Sequence, residues 1–587
     1  MPLRICLVTP FAWSQPHTVN DHVAGAAAEL RLRGHEVVVL APSGRATDLA
    51  AGRRALKRLG REGKPLEGVV ALGPAIPVSR RSRLGVPIGV QANLGLALAR
   101  DRFDVVHVHE PGLPSLSYLA LRDTRRLAVA TFHSAERLGY PPGKKQREKL
   151  LGRVDALTAT SRATAEAAAA RFPGDYTVLP LGVDPELFAP AEPRRRFVVE
   201  WRAEELPRLR AVFRGLADLP GWELVVLRTT TLAGRPYVPR ALRGRVAVRT
   251  ALDARARAVE LAGAAGLVTA TRGSPRLGLE ARAAAVPLVD PPGSREQPEL
   301  VAAALARLAE DDAWRAASSA GARAGAESES FGRLADELES LYAKVLRKRR
   351  RLAAPAGDPL ADRPLILADL HMHTEHSHDC AVPVPDLLDH AEAIGLGAIA
   401  VTDHNVFSGA EEAVELARGR ALTVIPGEEV KTDAGEVIGL FLGEAIPRGM
   451  PMADTIAAIR EQGGVVYVPH PFDRLHTIPA AGTLHRHLAE IDVFEVYNAR
   501  LLFEGFNDEA LRFARKYNLT MGAGSDAHVL QGVGTGLVRM RAFETPEEFL
   551  ISLRSAEIVR RPKSLLYLQG LKWVAQARER RTKASVR

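Results

Sequence analysis

Eleven of the 17 histidines in this 587-residue chain lie beyond Pro364, and most stand in short pieces that could bind a metal ion. An apolar run, Leu365–Leu370, leads into Asp369-Leu-His-Met-His373. In an extended chain, alternation sends His371 and His373 to the same side. Downstream come Ser377-His378-Asp379, Val401-Thr-Asp-His404, Ile425-Pro-Gly-Glu-Glu429, Val465-Val-Tyr-Val-Pro-His470 and Gly524-Ser-Asp526-Ala-His528. Taken alone, a His-x-His is more often a pair of surface or hydrogen-bonded histidines, and a Gly-Glu-Glu is usually a turn. A series of such pieces, each following a short apolar run, reads instead as one site. Mixed imidazole and carboxylate donors suit Zn²⁺, Fe or Mn²⁺ and suit Ca²⁺ poorly.

Positioning those donors requires strands whose ends open on one face, as they do in a barrel of parallel strands. The rest of the chain has a related pattern. Strand-like runs (Arg4–Thr9, Glu36–Leu40, Val105–Val108, Leu127–Thr131, Ala156–Thr160, Thr177–Pro180) alternate with helical stretches (Asp21–Arg33, Val90–Arg100, Arg162–Arg171), which predicts parallel, doubly wound sheets. A Pro- and Arg-rich break at Ala189–Arg196 precedes a second such series, from Phe197–Glu200 to Val286–Val289. The expected class is α/β: Rossmann-like domains at residues 1–190 and 191–350, a linker at 351–364, a distorted β/α barrel at 365–545, and a helix with a basic tail at 546–587.

The histidine-rich pieces resemble the PHP (polymerase and histidinol phosphatase) metallo-phosphoesterases over roughly residues 364–545. That resemblance implies metal ligands at His371, His373, His404, Glu429, His470, Asp526 and His528. A further ligand belongs to the stretch Ser377-His378-Asp379, which is one residue longer than the usual element; His378 and Asp379 both remain open, with Asp379 favoured. Where many members carry another His, this chain reads Gly435-Glu-Val-Ile-Gly439, and Glu436 is the nearest substitute. The implied cofactors are two or three divalent ions (Zn, Mn or Fe), and the implied reaction is phosphate-ester hydrolysis by in-line attack of an activated water. The catalytic set would be His371, His373, His404, Asp526 and His528. Asp369 and Asp403 are expected to orient ligating rings. Lys431, Arg474 and Arg500 are candidates for neutralising phosphate oxygens.

The first ~345 residues resemble family 4 GT-B glycosyltransferases of the phosphatidylinositol mannosyltransferase type. The resemblance rests on Arg4-Ile-Cys-Leu-Val-Thr-Pro10, Arg33-Gly-His-Glu-Val-Val-Val-Leu-Ala-Pro42, Asp104-Val-Val-His-Val-His-Glu-Pro111, Val129-Ala-Thr-Phe-His133 and Pro180-Leu-Gly-Val-Asp184. It implies an active-site role for His133, with Glu110 beside it. The donor side departs from the family. A Gly-Gly pair that admits the nucleotide-sugar phosphates falls at His17-Thr18, no Arg-Lys clamp follows Phe197–Arg202, and the paired glutamates fall at Arg272 and Glu280. A cation cannot accept hydrogen bonds from sugar hydroxyls. The expectation is a degenerate module serving the phosphoesterase, with a bifunctional enzyme using a nucleotide sugar as the alternative.

Composition narrows the partners. The chain is 46% hydrophobic and 25% charged, as in ordinary globular protein. Of its +10 net charge, nine Lys or Arg and one Glu lie between Val559 and Arg587. That distribution argues against a nucleic-acid-coating protein and disfavours a PHP-type exonuclease. Two cysteines and no leader-like segment suggest a cytoplasmic protein. Apolar residues interleaved with the basic tail leave peripheral contact with the inner membrane face open. The expected substrate is a small-molecule or lipid-linked phosphate ester.

Overall fold

The computed structural model describes residues 2–79, 82–87, 89–229, 234–270, 274–294, 297–350, 358–473, 478–564 and 569–571. Arg272, Arg474, the first part of the expected linker and most of the apolar residues of the tail lie outside the described residues. The chain divides into two compact units, Met1–Leu346 and Arg347–Arg587.

The N-terminal unit holds two sheets. Among the described residues the first has eight strands, ordered Ser82–Pro87, Gly68–Ser79, Glu36–Ser43, Arg4–Val8, Val105–His109, Leu127–Phe132, Ala156–Ala159 and Tyr176–Val178. All neighbours are parallel except the first pair. Strand order reverses at Arg4–Val8 beside Val105–His109, which makes the carboxyl ends of these two strands a topological switch point. The second sheet, ordered Val246–Thr250, Glu223–Arg228, Arg196–Glu200, Gly266–Val268 and Leu288–Val289, is parallel throughout.

Local signals explain the helices. In Thr18–Leu32 the buried positions Val19, Val23, Ala26, Ala27 and Leu30 recur at helical spacing and form the face turned to the core. This helix begins three residues before the expected Asp21, because the His17 ring accepts the Val19 N–H and caps it. Ser161 caps Arg162–Ala169 through the Thr164 N–H. The last helix of the unit, Phe331–Leu346, returns to the first sheet's lobe. There Arg33 bonds Asp336 and Glu339 at 2.7 and 2.9 Å, and the Tyr342 hydroxyl meets His107 at 2.7 Å.

In the C-terminal unit nine described strands form one sheet. Their order is Thr520–Gly524, Val493–Asn498, Val465–Val468, Glu436–Leu440, Thr423–Lys431, Ala398–Val401, Leu365–Met372, Gly536–Arg541 and Glu557–Arg560. Successive residues alternate between two apolar layers. One contains Ala368, Leu370, Ala400, Ile425 and Tyr467. The other packs Met372, Ile399, Val401 and Val466 against Leu387, Ala410 and Ile459 of the surrounding helices. The sheet curls until its first strand meets its seventh. Asp526 N–H donates to the His371 carbonyl (2.8 Å) and His373 N–H to that of Ala527 (3.1 Å). The expected distorted barrel is present, but its strands are not all parallel. Glu436–Leu440 runs antiparallel to both neighbours, and Leu365–Met372 is antiparallel to Gly536–Arg541.

Closure leaves no room at Gly524, where an added Cβ would lie 2.3 Å from the Cβ of His371. Gly524→Ala is expected to destabilise the C-terminal unit by about 1–3 kcal/mol through overpacking. A thermal or denaturant midpoint unchanged from wild type would contradict the tight closure.

Candidate metal centre

A bulge sets the direction of the first donors. Asp369 opposes Ile399 and Met372 opposes Val401, so two residues, Leu370 and His371, face the single Ala400. Such a bulge re-aims a side chain and often lies beside an active site. Leu370 joins the inner apolar layer, Met372 the outer one, and His371 turns toward the strand ends. Asp369 is left on the other side. It accepts the Ser525 and Gly534 N–H groups, both at 2.9 Å.

Glu429, fully buried at the end of Thr423–Lys431, is the centre of the cluster. Its carboxylate lies 3.2 Å from His371 Nε2, 3.5 Å from His373 Nε2, 3.1 Å from His404 Nδ1 and 3.0 Å from His470 Nε2. Asp526 approaches His373 Nε2 and His528 Nδ1, each at 3.4 Å. Asp379 is 2.7 Å from His528 Nε2 and 4.0 Å from His404 Nε2. His378 is exposed, its ring centroid 5.5 Å from that of His404. Glu436 reaches within 4.0 Å of His470 because its antiparallel strand starts where its neighbour Thr423–Lys431 ends.

Ligand atoms of four overlapping groups lie within 4.8 Å of one another: His371/His373/Asp526, His371/Glu429/His470, His404/Glu429/Glu436 and His373/His404/His528. The donor set fits metal ions. His373 Nδ1 is buried without a hydrogen-bond partner, and Nε2 meets carboxylate oxygens only at 3.4–3.5 Å, a costly state for a polar group. Separations of 3.0–3.5 Å between imidazole nitrogen and carboxylate oxygen match the edge, roughly 3.3 Å, of a tetrahedron with ~2.0–2.1 Å bonds.

Charge is shared unevenly. Burial pushes the Glu429 carboxyl up, but His371 and His404 outweigh it and hold Glu429 well below the usual carboxylate range. Burial likewise opposes ionised Asp526, and Arg500 and His371 overcome it. Burial, with His528 and His404 nearby, keeps His373 neutral and its lone pair available. His470 is lowered by burial yet raised to about 9 by its bond to Glu429. The backbone is held in unusual geometry here as well. Asn405, His470 and Asp526 have φ of +55°, +26° and +50°, conformations that non-glycine residues adopt chiefly where surrounding structure enforces them.

Of the expected phosphate-binding cations, Arg500 joins the cluster, with Nη1 3.2 Å from Asp526 and 3.4 Å from His528 Nε2. Lys431 is exposed; its backbone N–H donates to Asn405 Oδ1 (2.8 Å) and its carbonyl accepts the Gly449 N–H (2.7 Å). The expectation that Asp369 and Asp403 orient rings is corrected. Asp403 instead accepts the Thr374 N–H and hydroxyl, both at 2.6 Å, and Asp369 ties two backbone segments together. The ring-orienting carboxylate is Glu495, which the sequence reading passed over. It meets His371 Nδ1 at 3.2 Å, accepts the Tyr467 hydroxyl at 2.9 Å and the His470 N–H at 2.7 Å, and is bonded by Asn498 at 3.0 Å. Its one signal was an acid inside the apolar strand Val493–Asn498.

In the N-terminal unit, His133 Nε2 lies 2.9 Å from His109 Nδ1. Glu110 is buried, in left-handed backbone (φ +53°), and burial lifts its carboxyl to about 7 against the Arg137 guanidinium 3.3 Å away. Both Glu280 oxygens are taken by Arg257, at 2.6 and 2.7 Å, and Arg257 also binds Asp21 at 2.9 Å.

Glu495→Gln keeps the shape but weakens the acceptor behind His371. It is expected to lower metal affinity about 10–100-fold, the usual effect of losing such a partner. Competition with a chromogenic chelator measures this; unchanged affinity would remove Glu495 from the centre.

Comparison with known proteins agrees with this geometry. A family model described as PHP domain matches residues 369–483, one described as PHP-associated matches 504–558, and one described as Glycosyltransferase Family 4 matches 19–187. Over 211 residues the chain is 32% identical to an uncharacterized protein of Methanocaldococcus jannaschii, covering 34% of this chain and 84% of that one. It is 30% identical over 230 residues to a phosphatidyl-myo-inositol mannosyltransferase of Propionibacterium freudenreichii, covering 38% of this chain. The match spans 56% of that relative's length. A crystal structure of a glycosyltransferase from Rickettsia africae is similar at a TM-score of 0.42 and 14% identity, over 59% of this chain and 99% of that one. The chain therefore carries a PHP domain with a PHP-associated segment in its C-terminal unit and a Glycosyltransferase Family 4 region in its N-terminal unit.

Proposed function

We propose that the C-terminal unit is a metal-dependent phosphoesterase acting on a small-molecule or lipid-linked phosphate ester. The carrying observation is Glu429, buried within 3.5 Å of four imidazoles at the open end of the barrel. Two or three divalent ions (Zn, Mn or Fe) bound there supply Lewis acidity and a water of lowered pKa. His371, His373, Glu429, His470 and Asp526 form the inner donors, and His404, His528 and Asp379 the outer ones. His404 and Asp379 keep 15% and 25% of their side-chain surface exposed, so substrate enters from their side. Arg500, 29% exposed and fixed by Asp526, is the cation we assign to a phosphate oxygen.

We read the glycosyltransferase-like region as a binding or regulatory module that does not transfer sugar. Glu280 is occupied by Arg257, and the His17 ring fills the helix N-terminus where a phosphate would meet free N–H groups. The second reading, a bifunctional enzyme using a nucleotide sugar, is favoured by the similarity to mannosyltransferases.

Elemental analysis paired with phosphatase assays tests the first reading. Wild type is expected to hold two or three ions per chain, and His371→Ala/His373→Ala to lose metal and hydrolysis together. Activity that survived this loss, or resisted a strong chelator, would sink the proposal. Titration with uridine or guanosine diphosphate sugars separates the two readings of the front half: saturable binding with sugar release supports transfer, and no binding supports the module.

A further inference from the structure

A second group of imidazoles occupies the N-terminal unit, at the switch point of the first sheet. His109 ends the strand Val105–His109, His133 follows Leu127–Phe132, and His22 lies on the helix Thr18–Leu32 that follows Arg4–Val8. Crevices at such strand ends are where open α/β sheets bind ligands. One ligand atom from each of the three lies within 4.8 Å of the other two. We propose that His22, His109 and His133 form a further metal site, for a borderline divalent ion such as Zn²⁺, with a coordination position left open.

The hydrogen bonds already made decide which nitrogens are available. His22 Nδ1 meets the Leu181 carbonyl at 2.7 Å, and a carbonyl only accepts. The proton therefore sits on Nδ1, and Nε2 carries a lone pair. A carbonyl behind the ring is the usual support of a metal-ligating histidine. His109 Nδ1 and His133 Nε2 face each other at 2.9 Å, one donating its proton to the other's lone pair, and an ion bound there would take the place of that shared proton, which is released. His109 Nε2 is buried with no hydrogen-bond partner. His107, stacked on His109 with centroids 4.6 Å apart, differs in kind. Both its nitrogens are engaged, by the Tyr342 hydroxyl at 2.7 Å and the Thr131 hydroxyl at 2.6 Å. It is a supporting residue.

Protonation does not compete with the metal, because burial keeps these rings neutral. Glu110, next after His109, is buried and paired with Arg137 at 3.3 Å, outside the group of three imidazoles. Arg276, which shares the Leu181 carbonyl at 2.7 Å, and Arg137 oppose a cation and limit its affinity. Three neutral imidazoles with an open fourth position suit Zn²⁺ in a reactive rather than a closed structural site. The partly exposed ring of His133 marks the open side.

The test uses the full chain with the PHP centre disabled by His373→Ala/Glu429→Ala, which removes a member of each of its four ligand groups, so that a remaining stoichiometric ion belongs elsewhere. After Zn²⁺ loading and dialysis, this protein is expected to retain one Zn²⁺ per chain by elemental analysis. His22→Gln added to it should lower retention at least about tenfold, as expected for removing one of three ligands. His22→Cys keeps a ligand in place even if His22→Gln fails to fold. Loaded with Co²⁺, it should gain a thiolate-to-cobalt charge-transfer band absent from the parent. No retained ion in the parent, full retention in folded His22→Gln, or a folded His22→Cys protein without the band would each overturn the site. The outcome does not depend on whether the C-terminal unit is a phosphoesterase.

Discussion

The C-terminal unit is organised around the burial of one carboxylate. Glu429 has no solvent exposure, and an ionised group in that position is tolerated only with close opposite charge or metal. Four imidazoles supply the contacts, and they come from three separate strand ends besides Glu429's own. Removing one partner from a buried pair costs about 3–5 kcal/mol, because the remaining charge is left uncompensated. The barrel must therefore bring together residues as distant in sequence as His371 and Asp526. The bonds that do so, between the His371 and Ala527 carbonyls and the Asp526 and His373 N–H groups, also close the sheet.

Two irregularities adapt the barrel to that task. The bulge between Asp369 and Met372 separates Asp369 from His371, giving one a structural and the other a ligating position. The antiparallel strand Glu436–Leu440 starts at the ligand end, so an acid stands beside His470 where a parallel strand would have placed it at the far end. Glu495 then couples the parts. By holding the His371 ring, the Tyr467 hydroxyl and the His470 backbone, it ties the ends of two other strands to its own.

In the N-terminal unit the fold by itself does not fix what the site does. At its centre Arg257 binds Glu280 on one side and Asp21 on the other. Both acids are thereby engaged by one guanidinium.

The sequence by itself determined the class of each half and most residues of the buried histidine and carboxylate cluster. The spacing of His371 and His373, and the placing of His404, Glu429, His470, Asp526 and His528 after apolar runs, could be read because strand periodicity and ligand chemistry are local properties. The same reading passed over Glu495 and assigned ring-holding roles to Asp369 and Asp403. A one-residue bulge reverses which face a side chain takes, and a single acid in an apolar strand carries no signal until its partners, distant in sequence, are in place. The pairing of Arg257 with Glu280, and the meeting of His22, His109 and His133, were likewise decided only by the tertiary structure. Each joins residues on different elements, and hydrogen bonds between them depend on packing that composition and spacing do not encode.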